Sequence, residues 1–206
     1  MPADRVESSS PPNRASAAVL DAIVERIRAG AVFVYPTETI YGIGGLWGFS
    51  GIDERIYRIK NRPSGNPFIL VADCREHLDC LHVEFSEPAH RLAEAFWPGR
   101  LTLVLPAAGA PGGIAVRVSD HPFVQAVCSR LMLPLYSTSA NISGQEYVGD
   151  PDAIFTIFRD SVDLMIDGGI LPVSPPSTVV RVDPSGGVEV LREGAVSAAE
   201  VGRALQ

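Results

Sequence analysis

The sequence predicts an α/β chain, with a mixed, twisted sheet and helices packed on it. Three observations predict this. Short apolar runs such as Val32-Phe33-Val34-Tyr35 and Phe68-Ile69-Leu70-Val71-Ala72 read as buried strands. Segments with apolar residues at helical spacing stand between them, so strands and helices interleave. The turn sequence Asp183-Pro184-Ser185-Gly186-Gly187 joins two further strand-like runs into a hairpin, which adds antiparallel pairing to the sheet.

In chain order, residues 1–14 are polar and rich in Ser and Pro, with no apolar core of a signal peptide. They are expected to form a disordered N-terminal tail. Residues 15–29 follow as a helix that carries Val19, Leu20, Ile23, Val24 and Ile27 on one side and stops at Gly30. Strand 32–35 ends at Pro36, which cannot donate a ladder bond. Gly42, Gly44, Gly45 and Gly48 suggest a flexible connection. Ser50 and Asp53 resemble a capping box that opens a helix with Ile52, Ile56 and Ile59 inward. Strand 68–72 and a short helix over 74–81 come next, and Ser86 caps a helix to Phe96 with Pro88 in its first turn.

Leu101–Leu105 and Ile114–Val118 read as strands around a Gly/Pro/Ala loop, and His121–Leu131 as a helix. Ser137–Gly144 is a polar loop, and Asp150-Pro151 caps a helix to about Phe158. Val162–Ile166, Thr178–Val182 and Val188–Leu191 are the remaining strands, and Ser197 with Glu200 opens a short closing helix. No internal repeat or composition break interrupts residues 15–206, which read as a single domain.

The net charge of −7 argues against a protein that coats nucleic acid, although it leaves room for a local cationic cleft. Three cysteines, Cys74, Cys80 and Cys128, show no paired spacing, which suits a reducing compartment. No apolar run approaches the roughly 20 residues of a membrane span. A cytoplasmic protein without membrane contact is the expectation.

Several motifs fail. No phosphate-binding loop of the Gly-x-x-x-x-Gly-Lys type occurs. Gly42-Ile43-Gly44-Gly45-Leu46-Trp47 begins like a dinucleotide fingerprint, but Trp47 blocks the close helix approach that its last glycine allows. Cys74, His77, Cys80 and His82 lie close in sequence without a Cys-x-x-Cys pair, so no metal site is assigned. His121 precedes a proline at a helix start, a structural position.

What remains is distributed. Hydroxyl-rich segments follow apolar strands at Thr37–Thr39, Ser137–Ser143 and Ser177-Thr178, and cations stand at loops or strand ends at Lys60, Arg62, Arg117 and Arg192. Hydroxyls facing cations make a pocket for an anion, at the strand ends where α/β proteins bind ligands.

Seven motifs occur in order. They are Pro36-Thr37-Glu38-Thr39-Ile40-Tyr41-Gly42, Lys60-x-Arg62-Pro63-x-x-Asn66-Pro67, Pro98-Gly99-x-Leu101-Thr102-Leu103, Val116-Arg117-Val118, Ser137-Thr138-Ser139-Ala140-Asn141-x-Ser143-Gly144, Ser177-Thr178-Val179-Val180 and Leu191-Arg192-x-Gly194. Together they resemble the YrdC-like domain family of threonylcarbamoyl-AMP synthases, over about residues 17–196. Ser119 stands where relatives commonly have proline, and residues 68–72 lack the histidine that some relatives carry.

The resemblance implies an open mixed sheet with a concave basic cleft. It implies an enzyme that joins L-threonine, bicarbonate and ATP into threonylcarbamoyl-AMP and releases pyrophosphate. A downstream transferase complex then modifies tRNA, which this protein would meet only indirectly or weakly. ATP is a substrate, with Mg²⁺ carried by the nucleotide. By carry-over, Lys60 and Arg62 are catalytic. Thr37, Arg117, Ser137 and Ser177 hold threonine, and Arg62, Asn66, Ser139, Asn141 and Arg192 hold ATP. The competing readings are a non-catalytic binder of double-stranded RNA or tRNA, and a related enzyme that forms carbamoyl-adenylate.

Overall fold

The computed structural model describes residues 2–7, 17–63, 65, 67–172 and 174–206. They build a ten-stranded mixed sheet and six helices: β1 Asp4–Glu7, α1 Ala17–Arg28, β2 Phe33–Tyr35, β3 Gly42–Leu46, α2 Ile52–Ile59, β4 Ile69–Ala72, α3 Glu87–Phe96, β5 Leu101–Ala107, β6 Ala110–Val118, α4 Pro122–Leu131, β7 Leu135–Ser139, α5 Pro151–Phe158, β8 Leu164–Asp167, β9 Thr178–Val182, β10 Val188–Arg192 and α6 Ala198–Ala204. The strand order is β1-β8-β2-β3-β7-β4-β6-β5-β9-β10. β1–β8, β2–β8, β4–β6 and β5–β9 are parallel, and the other neighbours are antiparallel.

Period-two alternation sorts each strand between two faces. On β2, Phe33 and Tyr35 join α1 and α4 in one core, while Val34 joins α2 and α5 on the opposite face. On β4, Val71 belongs to the α1/α4 core, whereas Leu70 and Ala72 face a third cluster. That cluster packs α3 and α6 against Leu101, Leu103, Leu105, Val116, Val118, Val180 and Val182. The central sheet is thus covered on both sides. Around β5, β6, β9 and β10 these clusters put helices on one side only.

Local chemistry accounts for the ends of the elements. Asp150 accepts from the Asp152 amide at 2.9 Å to cap α5, and Ser197 with Glu200 forms a capping box on α6. The β9–β10 hairpin is present, its turn tied by Asp183 accepting from the amides of Ser185 and Gly187.

Several expectations are corrected. The segment over Asp4–Glu7 is an edge strand, placed by its ladder to β8 and by Arg5 donating to Asp167 at 2.6 Å. Residues 8–14 of the expected tail lie outside the described residues. The glycines at 42–45 are not a flexible connection but the central strand β3, pressed against β7. β7 takes in Ser137–Ser139, so the polar loop starts only at Ala140. Gly51 in left-handed conformation precedes α2, with no side-chain cap, in place of a capping box. The helix expected over 74–81 is a 3₁₀ segment, Glu76–Leu81. β5 and β6 run through Pro106 and Pro111 as one long hairpin that turns at Ala108-Gly109.

Gly44 shows why β3 is built of glycine. A Cβ there would stand 1.8 Å from the Tyr136 carbonyl oxygen, too close for any side chain. Gly44→Ala is expected to destabilise the fold by about 1–3 kcal/mol through overpacking, read as a lower midpoint in chemical denaturation.

Candidate active site

The uncovered side of the sheet forms a cleft of about 580 Å³. Val104 and Ala115 floor it from the β5–β6 hairpin, and Val179 and Arg181 come from β9. These residues alternate with the buried Leu103, Leu105, Val116, Val180 and Val182, so the pleat sends them to the open face. Thr37, Thr39, Ser137, Thr138, Ser139 and Ser177 contribute hydroxyls, and Arg62, Arg117, Arg181 and Arg192 contribute cations.

The hydroxyls at strand ends are pre-arranged. Thr37 Oγ1 donates to the Ile40 carbonyl at 2.7 Å and accepts from the Thr39 amide at 3.2 Å, closing the turn after β2. Tyr41 Oη donates to the Gly169 carbonyl at 2.7 Å and accepts from the Gly168 amide at 2.9 Å, which ties that turn to the segment after β8. Burial pushes the Tyr41 phenol well above its ordinary range, so it stays protonated. Thr102 and Ser177 share a buried hydroxyl contact at 2.9 Å.

Each of three arginines has its own support. Arg62 stacks over the Phe68 ring with its guanidinium carbon 5.2 Å from the centroid, and donates to Thr138 Oγ1 at 3.3 Å. Arg192 donates to the Ser177 carbonyl at 2.8 Å. Burial and the neighbouring Arg117 pull its pKa below the ordinary value, yet arginine keeps its proton under any ordinary condition. Arg117 is buried, with Nη1 3.3 Å from Glu38 Oε1. Among the described residues, no carboxylate lines the cleft, so it suits anions.

The sequence-derived residues divide into two groups. Thr37, Arg62, Arg117, Ser137, Ser139, Ser177 and Arg192 line one cleft. Lys60 and Asn141 are not among its lining residues. Lys60 Nζ donates to the Ser139 carbonyl, to the Asn141 carbonyl at 2.6 Å and to Asn141 Oδ1 at 3.2 Å. Its role here is to clamp the loop that follows β7. Ser139 Oγ donates to Asn141 Oδ1 at 2.6 Å, which tightens the same loop. Asn66 lies outside the described residues.

Reasoning from sequence placed Thr39 and Thr138 in the hydroxyl-rich segments of the pocket without giving them a role, and missed Tyr147 and Arg181 as lining residues. Thr39 and Thr138 sit inside motifs that were read, and period-two counting from Val180 would have turned Arg181 to the open face. Tyr147 carried no sequence signal; its phenol accepts from the Tyr41 amide at 2.9 Å.

Comparison with known proteins places the chain. A family model for Sua5, YciO and YrdC, described as telomere recombination, matches residues 25–194. A threonylcarbamoyl-AMP synthase of Vibrio vulnificus is 40% identical over 170 residues, which cover 78% of this chain and 91% of that protein. One from Pyrococcus abyssi is 35% identical over 166 residues, covering 75% of this chain but only 48% of that longer protein. Among solved structures, P. abyssi Sua5 complexed with L-threonine superposes with a TM-score of 0.86 at 29% identity, over 98% of this chain and 60% of that one. Escherichia coli YciO superposes with a TM-score of 0.81 at 29% identity, over 96% and 97%.

Lys60 makes the arrangement testable. Burial, with Arg62 nearby, lowers its pKa from the ordinary 10.5 to about 8. The unfolded chain therefore binds the extra proton between those values, so this group's contribution to stability rises with pH across that window. Buried thiols and tyrosines shift the other way but are common to wild type and Lys60→Met. The difference in denaturation midpoint between the two proteins is expected to move in favour of wild type from about pH 8 to about pH 10. A pH-independent difference would contradict the assignment.

Proposed function

The chain belongs to the Sua5/YciO/YrdC family, and we propose that its cleft makes threonylcarbamoyl-AMP from L-threonine, bicarbonate or CO₂, and ATP, with release of pyrophosphate. The observation that carries this reading is the convergence of Arg62, Arg117 and Arg192 with strand-end hydroxyls in one cleft that, among the described residues, no carboxylate lines. Such a site fits two anionic partners at once, an amino-acid carboxylate and a polyphosphate.

The chemistry needs assembly more than covalent help. The threonine amine nitrogen adds to the carbon of CO₂ and loses a proton, giving a carbamate. A carbamate oxygen then attacks the α-phosphorus of ATP as the bond to the β-phosphate oxygen breaks, and pyrophosphate leaves. Holding three components in line and neutralising the phosphates carry the step. Arg117 pairs with the threonine carboxylate in a two-pronged contact that a lysine could not offer, with Thr37, Ser137 and Ser177 beside it. Arg62 and Arg192 meet the phosphates, Ser139 and Asn66 hold the nucleotide side, and Asn141 acts from outside the cleft lining by fixing the Ser139 loop.

Lys60 acts one step back, by fixing the Ser139–Asn141 loop. With no lining carboxylate among the described residues, magnesium would ride on the nucleotide phosphates and neutralise them, without a protein ligand in the cleft. The product passes to a transferase complex that modifies tRNA. No described helix is long and apolar enough to cross a membrane, and the reaction's setting is the cytoplasm.

Pyrophosphate release from ATP and bicarbonate is expected with L-threonine and not with other amino acids in its place. Arg62→Ala is expected to lose product formation while its unfolding transition stays close to that of wild type. Near-normal turnover in that variant, or release that does not depend on threonine, would contradict the proposal.

A further inference from the structure

Arg117 is supported from behind by a pair of residues outside the cleft lining. Glu38 follows Thr37 in the turn after β2, and its side chain is 7% exposed. Its Oε1 faces Arg117 Nη1, and its Oε2 accepts from Ser119 Oγ at 2.5 Å. Ser119 is wholly buried just past β6. Its amide donates to the Ala72 carbonyl at 3.0 Å and its Oγ accepts from the His121 amide at 3.2 Å, so the hydroxyl is held on both sides.

The arrangement makes a directed chain. Ser119 has one proton to donate, and with the His121 amide occupying a lone pair it goes to Glu38 Oε2. That contact pins the carboxylate and turns its other oxygen to Arg117. The guanidinium has five N–H donors, and Glu38 Oε1 meets it as an ion pair 3.3 Å from Nη1 without a hydrogen bond. Arg117 Nε is buried without a partner, but the side chain lines the cleft, so its outer Nη donors remain for a ligand. Arg192 lies close enough to Arg117 to lower its own pKa. The two cations repel, and Glu38 supplies the counter-charge that keeps Arg117 in place.

We propose that Ser119 and Glu38 are positioning residues for the amino-acid subsite: they fix the Arg117 guanidinium so that its free donors meet the carboxylate of L-threonine. This rests on the synthase reading given above. A ligand carboxylate replaces no existing ion pair, because Glu38 stays behind the guanidinium while the substrate takes the unused donors. The orientation is set before binding, and pre-set donors bind tighter than mobile ones.

The test is steady-state pyrophosphate release, with threonine and ATP varied separately, backed by calorimetric titration of L-threonine into the same samples. The proteins are wild type, Ser119→Ala, Glu38→Gln, Arg117→Ala and the double variant Ser119→Ala with Arg117→Ala. Losing the Ser119 hydrogen bond is expected to raise the threonine KM and Kd about fivefold to tenfold, with the ATP KM unchanged. Glu38→Gln is expected to act in the same sense and more strongly. In the Arg117→Ala background, Ser119→Ala adds nothing, because the group it positions is gone.

Unchanged threonine KM in both single variants, an equal loss for ATP, or additive effects in the double variant would overturn the proposal. If Glu38→Gln fails to fold with its buried cation unpaired, Ser119→Ala, which removes one oxygen, carries the same test. Wild-type protein that neither binds threonine nor releases pyrophosphate with it overturns the synthase reading and this one together. Binding by wild type with indifferent variants overturns only the positioning role.

Discussion

The site depends on one asymmetry of cover. Helices α1 and α4 face one side of the central strands, and α2 and α5 face the other. At the β6–β5–β9–β10 end, α3 and α6 pack on a single side. The opposite side stays open, and the pleat decides which residues reach it. Val116 and Val118 go to the core while Arg117 between them goes to the cleft. A slip of one residue in the β4–β6 register would bury Arg117 among leucines and valines and expose Val116 and Val118. The hydrophobic core therefore fixes the place of the cation: packing at Val116 and Val118 decides where chemistry can occur.

An uncovered face does not by itself make an ionic site. Buried cations are costly unless paired, and this cleft handles each differently. Arg62 keeps part of its surface exposed and lies on the Phe68 ring, which itself packs on Tyr57 with centroids 4.3 Å apart. Arg192 leans on the Ser177 carbonyl. Arg117, the most buried of the three, has a carboxylate behind it. Lys60 is as deeply buried, at 2% exposure, and is satisfied by oxygens of Ser139 and Asn141. Full pairing would have left no attraction for an anion. Partial pairing keeps the fold intact and leaves donors unspent.

Much of the architecture was legible because it follows from side-chain pattern. Apolar runs gave β2, β4, β5, β9 and β10, and helical spacing gave α1 to α4 within a few residues. β3 was not legible, since Gly42, Gly44 and Gly45 carry no side chain to show a period; the 1.8 Å approach of the Tyr136 carbonyl explains Gly44, and the 2.7 Å approach of Ile52 explains Gly45. β1 was hidden because a mostly polar strand at a sheet edge is held by its ladder and by Arg5 with Asp167, with Val6 as its one apolar contact to the core. In the site, Thr37, Arg62, Arg117, Ser137, Ser139, Ser177 and Arg192 gathered in one cleft, while Asn141 stayed outside its lining. Lys60 did not gather there either, because a cation's sequence position says nothing about whether its head meets a ligand or a backbone carbonyl. Tyr147 was invisible for the opposite reason: it reaches the cleft from a segment with no motif, through one bond to the Tyr41 amide.

The three arginines enter the cleft from separate segments: Arg62 after α2, Arg117 on β6 and Arg192 at the end of β10. None rests on another's support. Ring stacking holds the first, a carboxylate the second and a backbone carbonyl the third. A reaction that joins three small molecules asks for this independence. If one flexible loop carried all the cations, the entropy of ordering it would be charged against every binding event. Spread over strand ends whose hydroxyls already close their own turns, as Thr37 does with Ile40, the donors are ordered when the chain folds. The remaining barrier then lies in bringing the carbamate oxygen and the α-phosphorus into line, where pre-set positive charge does most for a phosphoryl-transfer step.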